Sequence, residues 1–189
     1  MATTIAAPAT LRRFENPHIG DVATILETAR ESGGVRTLLE IELVPGGGNP
    51  VHLHRTYDEH FTVLQGRLTV RVDGVDRELA PGDAATVPAR TPHCFRNDSL
   101  APVLFQVELR PGHEGFEKAL QAGYGLAADG RTNRRSVPKN LLEAAVLLEW
   151  SDMAMPGLLT VLERPMRLLA RIARRRGVDR RLELRYVRT

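Results

Sequence analysis

The stretch GGGNPVHLHRTYDEHFTVLQG, Gly46 to Gly66, decides how this chain folds. It sets His52, His54 and Glu59 just ahead of the β-forming run Phe61 to Leu64. In an extended strand residues two apart share a face, so His52 and His54 point the same way. By the same count Glu59, Phe61 and Val63 share a face, and His60 points to the other side. Imidazole and carboxylate together make a ligand set suited to Zn, Fe, Mn, Ni or Cu. A second segment, GDAATVPARTPHCFRN from Gly82 to Asn97, adds His93. There His93, Phe95 and Asn97 fall on one face and Cys94 on the other, where it reads as a small buried hydrophobe.

Outward from these segments, Arg36 to Arg110 consists of short alternating runs punctuated by Gly, Pro, Asn and Asp. In RTLLEIELV, Thr37, Leu39, Ile41 and Leu43 share one face. Gln65-Gly66 and Asp73-Gly74 mark reversals, DAATVP and VLFQVELR supply further strands, and Pro111-Gly112 closes the region. Close-spaced strands of this kind predict an all-β barrel or sandwich. Helical runs follow in HEGFEKALQAG, PKNLLEAAVLLEW and PGLLTVLERPMRLLARIARRRG. Pro138 and Pro156 stand near helix starts and Gly177 at a stop, His113 and Glu114 open a helix, and Ala127 to Arg135 reads as a linker. Trp150 reads as a packing anchor of the helices. The expected organisation is an N-terminal arm over residues 1–35, a β-barrel over 36–110 and a helical C-terminal extension over 111–189.

A chain of 189 residues, 42% hydrophobic and 26% charged, can stabilise one packed domain, and this composition excludes collagen-like, low-complexity and largely disordered classes. The net charge of +3 is unevenly placed. From Glu163 onward ten arginines face Glu163, Asp179 and Glu183, a local +7 that leaves −4 on the rest. The single cysteine forms no intramolecular disulfide, and MATTIAAPATLRRF lacks the basic start and long apolar core of a secretory signal, so a cytoplasmic location is expected. The apolar stretch Leu141 to Leu162 is broken by Glu143, Glu149, Asp152 and Pro156. Each such charge costs roughly 2.5–3.5 kcal/mol at a bilayer centre, so no membrane span is expected. In the Arg-rich run, Leu162, Met166, Leu169 and Ala173 form one stripe, with Arg164, Arg167, Arg171, Arg174 and Arg175 largely elsewhere. This predicts a docking helix with a solvated face, ahead of contact with an anionic membrane surface. No stacking aromatics accompany those arginines, and no nucleic-acid partner is expected.

The first segment fits G-x5-H-x-H-x4-E-x6-G at every specified position. The second fits G-x5-P-x-G-x2-H-x3-N at Gly82, Pro88, His93 and Asn97, with Arg90 in place of the inner glycine. The two segments resemble the paired motifs of the cupin superfamily, and the 15 residues between Gly66 and Gly82 are similar to the spacing in small bacterial cupins. The resemblance implies a mainly β jelly-roll barrel that binds one divalent metal (Fe, Mn, Ni, Zn or Cu) through His52, His54, Glu59 and His93. It also implies a small-molecule substrate or ligand entering at the barrel mouth. The family includes dioxygenases, isomerases, lyases, decarboxylases and non-catalytic binders, so the fold does not choose among them. A full ligand set against an apolar wall of Phe61, Val63 and Phe95 points first to a dioxygenase-like enzyme using Fe(II) or a similar ion. Isomerase or lyase chemistry would need a general base, for which His60, Tyr57 and Glu108 are candidates, each read first as structural. A non-catalytic ligand-binding cupin is the third reading. Edge strands of small barrels pair with second copies, so a homodimer is expected.

Overall fold

The computed structural model describes residues 12–157, 161 and 163–188. The chain runs through β1 (Arg13–Asn16), β2 (Asp21–Glu27), β3 (Thr37–Leu43), β4 (Leu53–His54), β5 (Asp58–Gln65), β6 (Leu68–Val72), β7 (Val75–Leu79), β8 (Ala84–Val87), β9 (His93–Arg96) and β10 (Val103–Arg110). Then come α1 (Glu114–Ala128), α2 (Leu141–Trp150), β11 (Met153–Ala154), α3 (Glu163–Arg175) and α4 (Val178–Tyr186). One sheet has the order β1-β2-β3-β10-β5-β8, a second β7-β6-β9, and β11 pairs with β4. The pairings are antiparallel, and β10 lies between β3 and β5, so the chain crosses between the sheets. The architecture is the expected mainly β jelly-roll with a helical C-terminal extension.

Period-two alternation places the core. Thr37, Leu39, Ile41 and Leu43 of β3, Val103, Phe105, Val107 and Leu109 of β10, and Glu59, Phe61 and Val63 of β5 are all buried. Burying one large apolar side chain contributes roughly 1.5–3 kcal/mol, which makes this register the stable one. Gly66 turns β5 into β6 with φ of 79°, and a Cβ there would lie 2.7 Å from the carbonyl oxygen of Pro102. Arg90, standing where the motif has glycine, adopts the left-handed conformation itself, with φ of 67°.

The stretch expected to be an arm supplies β1 and β2 to the six-stranded sheet. Ala23 and Ile25 of β2 enter the core opposite Ile41 and Leu39. The inward face of β2 reads Asp21, Ala23, Ile25, so an acid and a small residue conceal the apolar alternation a strand would show.

His113 caps α1 by accepting from the Phe116 amide at 2.9 Å, as its position suggested. From α1, Phe116, Leu120 and Tyr124 lie on the barrel core, while Ala122 and Leu126 join Val146, Ala173, Val178 and Leu182 in a second core among the helices. Trp150 packs against that second core. The helix runs on to Ala128, past the start of the expected linker, and α2 begins behind Asn140 rather than at Pro138. The third helical run holds α3 and stops at Gly177, with φ of 64°, as its sequence suggested, and a further helix, α4, follows it. Ala170 and Ala173 of α3 are buried, Arg164, Arg171 and Arg175 are exposed, and Arg174 reaches Glu149 of α2 at 2.6 Å. Leu162 lies outside the described residues. Among those described, no helix is long and apolar enough to cross a membrane.

Candidate metal centre

His52, His54, Glu59 and His93 converge inside the barrel, each offering a ligand atom within 4.8 Å of the others. Glu59 is the most accessible of the four, at 6%. The four come from separate pieces of sheet: His54 from β4, His93 from β9 of the three-stranded sheet and Glu59 from β5 of the six-stranded one. Main-chain hydrogen bonds run in both directions between His52 and His93, at 2.9 and 2.8 Å, locking the first motif onto the second. Glu59 enters from β5 beside Phe61, on the inward face the alternation predicted.

The hydrogen bonds fix which ring nitrogens face inward. Nδ1 of His52 lies 2.9 Å from the Pro50 carbonyl, Nδ1 of His93 2.9 Å from the Thr91 carbonyl, and Nδ1 of His54 3.1 Å from the Ser151 carbonyl. A carbonyl only accepts, so each Nδ1 carries a proton and donates it. All three Nε2 atoms therefore point into the cluster. The Nε2 atoms of His52 and His54 stand 3.1 Å apart, and Nε2 of His93 lies 2.7 Å from Glu59 Oε2.

Burial holds His52 down to about 3, reinforced by the neighbouring His54 and His93. Burial likewise lowers His54, against the pull of Glu59. These two rings are neutral at pH 7, so their inward lone pairs face each other without a proton between them. A cation is what such a pair lacks. At His93 burial is outweighed by the hydrogen bond and charge of Glu59, and its pKa rises. Burial by itself would raise Glu59, but the three histidines hold it near 2, so it is a carboxylate. The donor set fits a divalent metal: inward lone pairs on His52 and His54, a third on His93 once the proton that its Nε2 donates to Glu59 leaves, and one anion, in a buried site.

Phe61, Phe95 and Phe105 pack at tilted and edge-on angles beside the cluster, with ring centroids 5.3–6.3 Å apart, and Val63 is buried with them. Cys94 is buried on β9 outside the cluster. Asn97 serves the backbone instead: its amide donates to the carbonyls of Leu43 and Ala101 at 3.0 and 2.8 Å. His60 turns away and meets Thr86 Oγ1 at 2.9 Å, and Glu108, opposite His60 on β10, pairs with Arg110.

Tyr57 does lie at the cluster, stacked on His54 with ring centroids 4.5 Å apart, and burial pushes its hydroxyl well above its ordinary range. Phe116 of α1 closes over both rings at 6.0 Å. Ser151 and Phe116 had no signal in the sequence, because both come from the extension. Tyr57 did have one: it stands two before Glu59, on the inward face. A separate cavity of about 340 Å³ lies under β11, α2 and α3, and none of the four ligand-type residues lines it.

A jelly-roll barrel enclosing three imidazoles and a carboxylate defines a class: barrel proteins with a histidine–carboxylate metal-ligand set. Residues 39–109 match the family model described as a cupin domain, so the barrel of this chain is a cupin domain. Over 81 residues it is 40% identical to quercetin 2,3-dioxygenase of Bacillus subtilis, covering 41% of this chain and 23% of that enzyme. It is 34% identical over 64 residues to an uncharacterized protein of Aquifex aeolicus, covering 34% of this chain and 52% of the relative. The match thus spans about a quarter of the first relative and about half of the second. Among solved structures an RmlC-like cupin from Shewanella frigidimarina superposes with a TM-score of 0.50 at 22% identity, over 60% of this chain and 96% of that one, and shares the fold.

Proposed function

We propose that this cupin is a metal-dependent enzyme that oxidises a small organic molecule, holding one divalent ion through the Nε2 atoms of His52, His54 and His93 and the carboxylate of Glu59. The observation that carries this reading is the facing pair of neutral Nε2 atoms, 3.1 Å apart, each locked by a carbonyl at its own Nδ1. When bound, a divalent metal here supplies Lewis acidity and, for Fe, Mn or Cu, electron transfer at the positions left open beside four protein ligands.

The chain's own groups define what the site accepts. Glu59 cancels one of the two metal charges and leaves a net positive centre, which favours a substrate presenting an anionic or enolic oxygen. Phe61, Phe95 and Phe105 keep water out and suit an aromatic or otherwise apolar body. The 40% identity to quercetin 2,3-dioxygenase over the barrel supports dioxygenation as the reaction. An isomerase or lyase needs a free base, and Tyr57 is engaged while His60 and Glu108 face away.

The test is elemental analysis of tag-free protein, then anaerobic Fe(II) loading and oxygen uptake against small phenolic and carbonyl compounds, quercetin included. Near-stoichiometric metal with substrate-dependent oxygen consumption is expected. Metal without oxygen uptake would overturn the oxygenase reading, and no metal under any loading condition would overturn the metal centre. As part of the same proposal the enzyme works in the cytoplasm as a homodimer. The exposed edge strand β7 supports pairing, and light scattering checks it.

A further inference from the structure

Two of the three imidazoles are oriented by their own strand, and the third is not. His52 and His93 each donate from Nδ1 to a carbonyl two residues earlier, Pro50 and Thr91. His54 has no such neighbour, and its acceptor, the Ser151 carbonyl, lies 97 residues downstream.

Ser151 is the C-cap of α2, so its carbonyl is one of those a helix leaves unpaired at its C-terminal end. Three contacts meet there. His54 Nδ1 is 3.1 Å from the Ser151 oxygen, the Tyr57 hydroxyl is 2.9 Å from the same oxygen, and the hydroxyl oxygen is 2.6 Å from Nδ1. One arrangement of protons satisfies all three: Tyr57 donates to the carbonyl, and Nδ1–H donates to the carbonyl and the Tyr57 oxygen together. The negative end of the α2 dipole favours that donor.

The carbonyl is itself held in place. Asp152 takes the left-handed conformation, φ 52°, and its Oδ2 accepts from the Arg55 amide at 3.1 Å and the Thr56 hydroxyl at 2.8 Å. Met153 pairs with His54 in the short ladder of β11 on β4, and Arg55 continues to Glu163 of α3 at 2.9 Å.

We propose that the helical extension completes the metal centre from outside the barrel: its Ser151 carbonyl, clasped by Asp152, acts together with the barrel's own Tyr57 as a positioning group that presents His54 Nε2 to the ion. This rests on the metal reading above. It makes metal affinity a property of the whole chain, because a barrel without α2 and β11 would leave His54 free to rotate or to protonate at the wrong nitrogen. Groups that orient a ligating imidazole typically change metal affinity by about 10–100-fold when removed.

The test uses the full chain, stripped of metal and titrated anaerobically with Co(II), read by its visible absorption and by the dissociation constant. Tyr57→Phe and Asp152→Ala should each weaken Co(II) binding by roughly 10–100-fold and shift the visible bands. Thermal unfolding of the metal-free variants separates this from general damage: the loss of affinity must exceed any loss of stability. Asp152→Asn, which keeps a carbonyl acceptor and tolerates the left-handed backbone, should restore most of the affinity. Both variants binding Co(II) like the unaltered protein, with unchanged spectra, would overturn the positioning role. An unaltered chain that binds no Co(II) would overturn the metal reading as well, so the two failures are distinct.

Discussion

His52 and His93 hold each other by two main-chain hydrogen bonds, the amide of each donating to the carbonyl of the other at 2.9 and 2.8 Å. The bridge joins residues 41 positions apart in the chain and sets their rings 4.4 Å apart. The bridge is made of backbone groups alone, so it belongs to the pairing of the strands and not to the ligand atoms.

The ligand set predicts a sharp difference between two neighbouring histidines. His54→Ala removes an inward Nε2 and should reduce bound metal by more than the 10–100-fold typical of a supporting residue. His60→Ala, on the opposite face beside Thr86, should leave metal content nearly unchanged. Elemental analysis of the two purified variants decides it; equal losses would mean that strand β5 presents its other face.

Arg90 offers a stability test independent of the metal. A side chain in the left-handed conformation costs roughly 1–2 kcal/mol, while glycine in its place adds roughly 0.5–1 kcal/mol of chain entropy on unfolding. The Arg90 amide, which donates to the His54 carbonyl at 2.6 Å, survives the exchange. Arg90→Gly should therefore stabilise the protein by about 0.5–1 kcal/mol and raise Tm by about 1–4 °C in thermal unfolding.

Asp21 makes stability depend on pH. Burial pushes its carboxyl up to about 6 from 3.8, against the hydrogen bond it accepts from Tyr124 at 2.5 Å, and its buried Oδ1 has no hydrogen-bond partner among the described residues. A carboxyl with a raised folded pKa stabilises the fold fully below pH 3.8 and loses that contribution as pH climbs through about 6. At roughly 1.4 kcal/mol per pH unit the loss approaches about 3 kcal/mol at neutral pH. Asp21→Asn should raise Tm at pH 7 and flatten the decline between pH 4 and 6, measured on metal-free protein. A variant with the same slope as the parent would assign the decline to other groups.

The basic helices test the value of the second core. Deleting residues 158–189 exposes Ala122, Leu126 and Val146 of α1 and α2, which now pack against Ala173, Val178 and Leu182. The truncated chain should melt several degrees lower and be less soluble. Unchanged melting together with lost binding to anionic vesicles would instead make the arginine face a membrane contact.

The sequence by itself determined the β-rich region and the face on which each candidate ligand lies, by short-range rules, while the jelly-roll barrel and the joining of the four ligands were implied by its resemblance to the paired cupin motifs. Alternation of two assigns Leu39, Ile41, Phe61 and Val63 to one face, and the spacing of His52, His54, Glu59 and His93 survives any loop geometry that keeps the strands paired. It also determined the caps and breaks at His113 and Gly177, which are local chemistry. Only the tertiary structure decided the rest. The strand β2 was hidden because its core face carries Asp21 and Ala23, whose burial depends on Tyr124 and Ile41 from distant elements. The acceptor of His54 was hidden for the same reason in stronger form. A backbone carbonyl has no residue identity to read, and Ser151 acquires its role only when α2 ends beside β4, a juxtaposition made by packing between segments nearly 100 residues apart.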